Sequence, residues 1–425
     1  MSKLLAYDPE NQSEAVMRWN ILSAMILILF GLFCQGDPVG ALNGVKTILV
    51  SDGSLITDYF VTGGLGGAFV NAGLAMLLSI AVFKFSGAGF GGGSFGVCYI
   101  VAGFALFGKN VLNMLPIIFG AWLYAKAVKE PFSKFAMGAN LTTCAGPIVQ
   151  YVMLHGLSSS VAVNTIVGLL LAVLIGFVVQ PTAAYCAKLH EGFCLYNIGL
   201  TTGFVTIILT AFMKGLGYEF SFISDSWCKD YKGILTIFFI AFYALHFFAG
   251  MIMNGGVKGL GSVMKHTGQL PCDYVALEGL PKTLMNMGIL GWEMLAIILA
   301  INGDLSGPIC AGVLTVGGFG GLGKNYYNVL WGWLGIFLLS FVSVWHLNDA
   351  AVQLAFCFVT CVCGIAGKYG PIYGIVAGML HVMVVRQTGS FFAWINLYNN
   401  GFAAGLFCIA YIPVIHAIQR ALGKE

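Results

Sequence analysis

Residues 135–187 contain no Asp, Glu, Lys or Arg. A stretch that long without charge has no means of covering a soluble surface, and it constrains the fold more than any other feature. Similar uncharged runs recur along the chain, separated by short charged segments. Charged residues make up 9% of the 425, against about 25% in soluble domains, and mean hydropathy is +0.89. The chain reads as an all-α polytopic membrane protein whose first partner is the lipid bilayer. Net charge is +3 with no basic block, so nucleic acid is not an expected partner. Residues 1–18 are polar and mixed in charge, and no small-residue cleavage site follows the apolar run that starts at Trp19. That run reads as a retained span. The 12 cysteines lie mostly inside apolar segments, which argues against structural disulfides and fits a cytoplasmic (inner) or plasma membrane.

A helix needs about 20 apolar residues to span the hydrocarbon core. In the first half the candidates are 19–36, 60–83, 87–107, 111–125, 135–153, 158–182 and 192–213. In the second they are 233–253, 281–302, 305–322, 327–345, 350–366, 370–385 and 393–417. The segment 87–107 opens with "GAGFGGGSFG", and 135–153 contains "NLTTCAGP". Both predict half-helices, because broken backbone at membrane depth survives only in protein or facing a water-filled cavity. The expectation is 10–14 transmembrane helices with re-entrant half-helices. Residues 215–231 form a polar connector near the middle.

The chain repeats itself. At a spacing of 215, Asp58-Tyr59 falls on Asp273-Tyr274, Asn71 on Asn286, and "GKNVLN" (108–113) on "GKNYYN" (323–328). At a spacing of 202, "LYNIGLTTG" (195–203) falls on "LYNNGFAAG" (397–405). Shared apolar composition would not align rare polar residues in the same order. The chain is thus read as two homologous repeats, 1–215 and 216–425. Transporters and channels of this kind place the solute path at the repeat interface. Seven candidate spans per half is odd, which predicts inverted repeats. Lys126, Lys129 and Lys134, the pair Arg420 and Lys424, and Lys3 with Arg18 then share the cytoplasmic side.

Polar residues at membrane depth are costly and usually face a bundle interior or cavity. Asn71 and Asn286 read either as amides lining a path or as interhelical bonds. Asn197 and Asn399, with Tyr196 and Tyr398, suit a pore mouth or an aromatic belt. Asn113 and Asn328 follow a Gly-Lys-Asn turn whose Asn110 and Asn325 would cap the next helix. The lysines there, Lys109 and Lys324, read as a cationic rim for an anionic or dipolar solute, or as snorkelling side chains. Asp58 and Asp273 read as solvated span ends. Glu293 sits mid-span with Leu78 as its counterpart, and predicts proton or cation coupling. Glu191 and His190, at the start of a span, read as a cation or proton site or as a solvated helix start. His346 and Asp349 are a weaker pair at a helix junction. No metal site or cofactor is expected. "GFGGLGKN" (318–325) puts Asn where a phosphate-binding loop needs Ser or Thr. Cys357, Cys361 and Cys363 lack a histidine to complete a zinc set. Nothing points to an enzyme. The predicted function is transport of a small polar solute, with a passive amide channel, a structural subunit and an intramembrane enzyme as alternatives. A homo-oligomer is compatible with the sequence.

The tandem "GKNxxN" resembles a family of uncharacterised bacterial integral membrane proteins built from a duplicated domain of unknown function. The resemblance covers nearly the whole chain and implies no activity. A weaker likeness is to urea transporters. "EGFCLYNIGLTTGF" (191–204) is similar to their Gly-Tyr-Asn-Gly segment, and "GDPVGAL" (36–42) to their Asn-Pro-x-Ser-Gly stretch, with Asp37 in place of Asn. That likeness implies inverted halves, re-entrant half-helices and a pore for a small amide. "LYNNGFAAG" lacks the acidic lead-in, and no Leu-Pro-x-x-Thr motif is found.

Overall fold

The computed structural model describes residues 9–55, 57–220 and 227–424. Lys3 and residues 221–226 of the central connector lie outside them. Regular structure among the described residues is helical, with one isolated bridge between Asp273 and Leu322. The first half runs α1 Gln12–Phe33, α2 Pro38–Val50, α3 Tyr59–Thr62, α4 Gly64–Ser86, α5 Gly92–Phe104 and α6 Val111–Ala127. It continues with α7 Ala136–Thr142, α8 Gly146–His155, α9 Val161–Leu189 and α10 Asn197–Gly215. The second half runs α11 Lys232–Met253, α12 Tyr274–Glu278, α13 Leu280–Ala300, α14 Gly307–Gly318 and α15 Leu330–Ser340. It ends with α16 Ala350–Val359, α17 Cys363–Tyr369, α18 Pro371–Thr388 and α19 Asn399–Ala421. The halves correspond helix for helix, except that a 3₁₀ turn, Leu260–Lys265, stands where the first half has α2. The apolar patterning of 38–50 is interrupted by glycines and Lys46, which hides this helix among the candidate spans. Among the described residues nine helices, taking α16 and α17 as one, are long and apolar enough to cross a membrane, and five shorter apolar helices accompany them.

The two segments read as half-helices are broken where expected. The run 87–107 becomes the 13-residue α5, about 20 Å long at 1.5 Å per residue and too short to cross. The run 135–153 breaks into α7 and α8 at a 3₁₀ turn, Thr143–Ala145. Its counterpart breaks between α16 and α17 at Thr360–Val362. Both breaks carry Thr-Cys, at 143–144 and 360–361. This third piece of the repeat lies in a register of 217, which neither the 215 nor the 202 spacing exposes.

Helices α5 and α14 pack against each other near the middle. Gly92 abuts Gly321, Gly96 faces the Phe319 ring, and a Cβ on Gly103 would lie 2.8 Å from the Ala311 carbonyl oxygen. Residue numbers rise along one helix as they fall along the other, so the pair is antiparallel. The two-fold relating the halves therefore runs across these helices, and the repeats are inverted. On the same axis α10 crosses α19, where a Cβ on Gly199 would lie 2.8 Å from the Gly401 Cα. Small residues at such crossings let backbones touch, which drives packing where lipid offers no hydrophobic advantage.

Each half-helix is held at its N-terminus by the other half. The Asp58 carboxylate, which is buried, accepts from the Phe60 N–H (2.9 Å), the Gly307 N–H at the start of α14 (3.2 Å) and the Cys228 N–H (2.9 Å). Asp273 accepts from the Ala276 N–H (3.0 Å) and from the Gly93 N–H at the start of α5 (3.4 Å). A carboxylate there satisfies free N–H groups and complements the positive helix end. The expectation of solvated span ends is corrected: Asp58 in particular is an interior clamp between halves.

Candidate functional site

Two cavities flank the two-fold. One, of about 460 Å³, is lined by Leu55, Asp304, Arg386, Asn399 and Asn400, among others. The other, of about 670 Å³, is lined by Lys188, His190, Asn197, Leu270 and Phe319, among others. Leu55 corresponds to Leu270, and Asn399 to Asn197, so the cavities are counterparts. An inverting axis puts them at opposite ends of the antiparallel α5–α14 pair. Lys134 also lines the larger one, which places it on the face that carries the basic 126–134 loop.

The two lysines of the Gly-Lys-Asn turns line neither cavity but lie against the loops that do, Leu195–Asn197 and Tyr398–Asn400. Lys109 and Lys324 are fully buried, each with the asparagine that follows it, Asn110 and Asn325. Each reaches into the opposite half. The Lys109 Nζ donates to the Tyr398 hydroxyl at 2.7 Å, and the Lys324 Nζ to the Tyr196 hydroxyl at 2.5 Å. Aromatic faces complete each enclosure. Lys109 lies 4.5 Å from the Tyr398 ring centre and 5.9 Å from that of Phe104. Lys324 lies 4.8 Å from Tyr196 and 4.9 Å from Phe319. Phe104 and Phe319 are repeat counterparts at the ends of the half-helices. Among the described residues no carboxylate lies within ion-pair distance of either amine.

The tyrosines are seated by the exchange of backbone between halves. The Leu195 N–H donates to the Cys361 carbonyl (2.9 Å), and the Leu397 N–H to the Cys144 carbonyl (3.1 Å). Each Leu-Tyr-Asn loop thus docks on the Thr-Cys break of the other half, where a helix has released its carbonyls. Phe358, just before the second break, joins the two enclosures: its ring lies 5.4 Å from Phe104 and 6.2 Å from Tyr196. Phe319 separates the larger cavity from Lys324.

The asparagines singled out in the sequence hold this frame together. The Asn71 Nδ2 donates to the carbonyls of Ala105 (2.7 Å) and Lys109 (2.8 Å). Asn286 does the same for Gly320 and Lys324, both at 2.8 Å. These carbonyls are left over where the half-helices end, so the amides serve the backbone. The Oδ1 of each has no hydrogen-bond partner among the described residues. Asn110 and Asn113 cap reciprocally, as do Asn325 and Asn328. The Nδ2 of Asn113 donates to the Gly108 carbonyl (3.0 Å) and Gln150 (3.0 Å), that of Asn328 to the Gly323 carbonyl (2.9 Å) and Thr267 (3.3 Å). Asn197 and Asn399 donate to the Ala183 and Val385 carbonyls at the ends of α9 and α18. Their Oδ1 atoms meet His190 (2.9 Å) and the Thr388 hydroxyl (2.5 Å). Asn197 and Asn399 also line the cavities, whereas Asn71, Asn286, Asn113 and Asn328 line neither.

The coupling candidates fall outside the enclosures. Glu293 is partly buried, its Oε2 has no hydrogen-bond partner among the described residues, and it lines neither cavity. His190 follows the end of α9 and is buried, so it is not a solvated helix start. Glu191, with φ 50°, is turned away, and its carboxylate lies 3.8 Å from His416. His346 and Asp349 form an exposed turn before α16. Tyr196 and Tyr398 are not belt anchors; they are interior partners of the lysines, which neither snorkel nor form a rim. Among the described residues no three His, Cys, Asp or Glu side chains are placed to hold a metal, and the cysteines are unpaired. Each enclosure brings together an amine, a tyrosine hydroxyl and two ring faces.

The family described as a protein of unknown function, DUF1576, matches two tandem segments, 38–215 and 252–417. No curated protein and no solved structure matches the chain.

Proposed function

The chain belongs to DUF1576, a family of unknown function, and we propose that this multi-pass membrane protein moves a small polar solute along the interface of its two inverted repeats. One observation carries the reading: two buried lysine–tyrosine pairs are exchanged between the halves, and the loops that carry the tyrosines line two counterpart cavities. Ionisable groups inside a membrane are expensive to keep and mark solute pathways. Broken helices meeting at a repeat interface are the usual frame of such a site. The bias of Lys and Arg toward the 126–134 face supports placing that face in the cytoplasm. The buried free thiols fit a cytoplasmic membrane.

A second reading rests on the buried Oδ1 atoms of Asn71 and Asn286, which have no partner among the described residues. Such acceptors would suit the N–H groups of a neutral amide in a passive channel. Flux in proteoliposomes tests both. Urea, small amides, amino acids and organic acids are presented with and without an imposed proton gradient. Transport predicts saturable flux of at least one solute above empty vesicles. Gradient-driven accumulation would bring Glu293 into the mechanism, and Glu293→Gln would then remove the gradient dependence. No flux of any solute would overturn the transport reading.

A further inference from the structure

We infer that the solute is a small monovalent anion, and that Lys109 and Lys324 are two successive stops for it. This rests on the transport reading and gives it a substrate class. Each amine is fully buried, makes one hydrogen bond, to a tyrosine hydroxyl, and has no carboxylate within ion-pair distance among the described residues. A buried ammonium without a counter-charge is strongly disfavoured. The ring faces of Tyr398 and Phe104, or of Tyr196 and Phe319, offset part of that cost. A bound anion supplies the remaining counter-charge and accepts the N–H bonds the tyrosine does not use.

The charge of the anion follows from the count of amines. Each enclosure holds one lysine and no arginine. A lysine is a point charge without the planar fork that selects bidentate ligands. One positive charge per stop matches one negative charge on the solute, and a dianion would remain half compensated in a dry site.

The smaller mouth agrees with this sign: Asp304 is paired with Lys229 at 3.0 Å, and Arg386 lines the same cavity. In the larger, Lys134 is paired with Glu130 at 2.6 Å and Lys188 shares the lining with Asp273, so charge there is balanced. Clefts with an excess of one charge raise the local concentration of the opposite ion. Two moderate sites in series also let an ion leave as readily as it enters.

The test compares formate with formamide, which share a shape and differ in charge. The full chain is reconstituted in proteoliposomes, and uptake of each labelled compound is measured above empty vesicles. Acetate with acetamide, and nitrate and chloride, are run in parallel. Formate is expected to enter saturably and formamide at the rate of empty vesicles. Lys109→Gln and Lys324→Gln should each lower formate uptake at least ten-fold. Tyr196→Phe and Tyr398→Phe keep the ring and the lysine while removing the hydroxyl, and should raise the KM for formate several-fold. Thermal unfolding of every variant identifies those that have lost the fold. If the lysine variants have, formate but not formamide should still raise the Tm of the wild type. Formamide entering as fast as formate would overturn the assignment while leaving transport intact. So would formate uptake unchanged in folded lysine variants, or neutral solutes moving while no anion does. Absence of flux for every anion and every neutral solute would overturn the transport reading itself.

Discussion

The two lysine enclosures are alike at the centre and different behind it. In both, the amine meets a tyrosine of the other half, and an asparagine ties the following backbone to the end of a half-helix. Behind Lys109, the capping asparagines lean on one side chain, Gln150, which also donates to the carbonyls of Leu49 and Ser51. Behind Lys324, the same asparagines bond directly to backbone at Val263, His266 and Thr267 and to the Tyr274 hydroxyl. The duplicated chain has kept one geometry at the interface and found two ways of bracing it. Contacts that cross the two-fold must fit both halves at once. Contacts that stay within a half are free to drift apart.

That contrast can be broken at several points. The largest effect is expected at the clamps on the half-helices. Asp58 is buried with three backbone donors, while Asp273 is partly exposed with two, one of them long. Bonds to a charged group contribute roughly 1.5–3 kcal/mol each. Asp58→Ala should cost about 4 kcal/mol or more, and Asp273→Ala about 1–2 kcal/mol, in unfolding of detergent-solubilised protein. Equal losses would mean the halves are braced alike. Next come Asn71→Ala and Asn286→Ala. Each frees two buried carbonyls, and at about 1–2 kcal/mol per lost bond each should cost about 3 kcal/mol. The two values should agree, because the bond lengths nearly do. Loss of flux with unchanged stability would instead make these amides lining groups, one of the two readings the sequence offers. Gln150→Ala should cost about 2 kcal/mol and leave the second half untouched, readable as hydrogen-exchange protection lost around α6 and retained around α15.

The smallest effect is a pH dependence found in one half only. The Glu278 carboxylate bonds to Ser262, Lys282 (2.9 Å) and His266 (2.8 Å). Burial alone would raise its pKa, yet these three bonds outweigh it and hold the group at about 2, below the usual 4.5. A carboxylate depressed on folding stabilises above its unfolded value and loses that contribution as pH falls through the folded one. Stability should therefore drop between about pH 4.5 and 2, and Glu278→Gln should flatten that part of the Tm profile. The first half has Gly63 at the equivalent position and contributes no such slope. An identical profile in wild type and variant would contradict the assignment.

Much of the frame was legible in the residues. Rare polar groups in matching order exposed the duplication, and glycine runs and "NLTTCAGP" exposed the broken helices. The partners were not legible. Lys109 meets a tyrosine 289 positions away, and Lys324 one 128 positions away. A repeat shows which residues correspond, but not that the two-fold exchanges their partners. The asparagines left two readings open for a related reason. An amide in an apolar run resembles a group facing a solute, yet a helix that stops inside the membrane leaves carbonyls needing donors, and these take the amides first. Asp58 looked like a solvated end because its ligand, the start of α14, is 249 positions distant.

The central claim is that both lysines stand on one path. The direct test is flux, in proteoliposomes, of the fastest-moving solute among the small anions and amides, through wild type, Lys109→Gln, Lys324→Gln and the double variant. Two stops in series predict that each single substitution lowers flux more than ten-fold and that the double variant falls little further. Singles that each remove about half the flux, with the double removing all of it, would show two parallel routes and contradict the account.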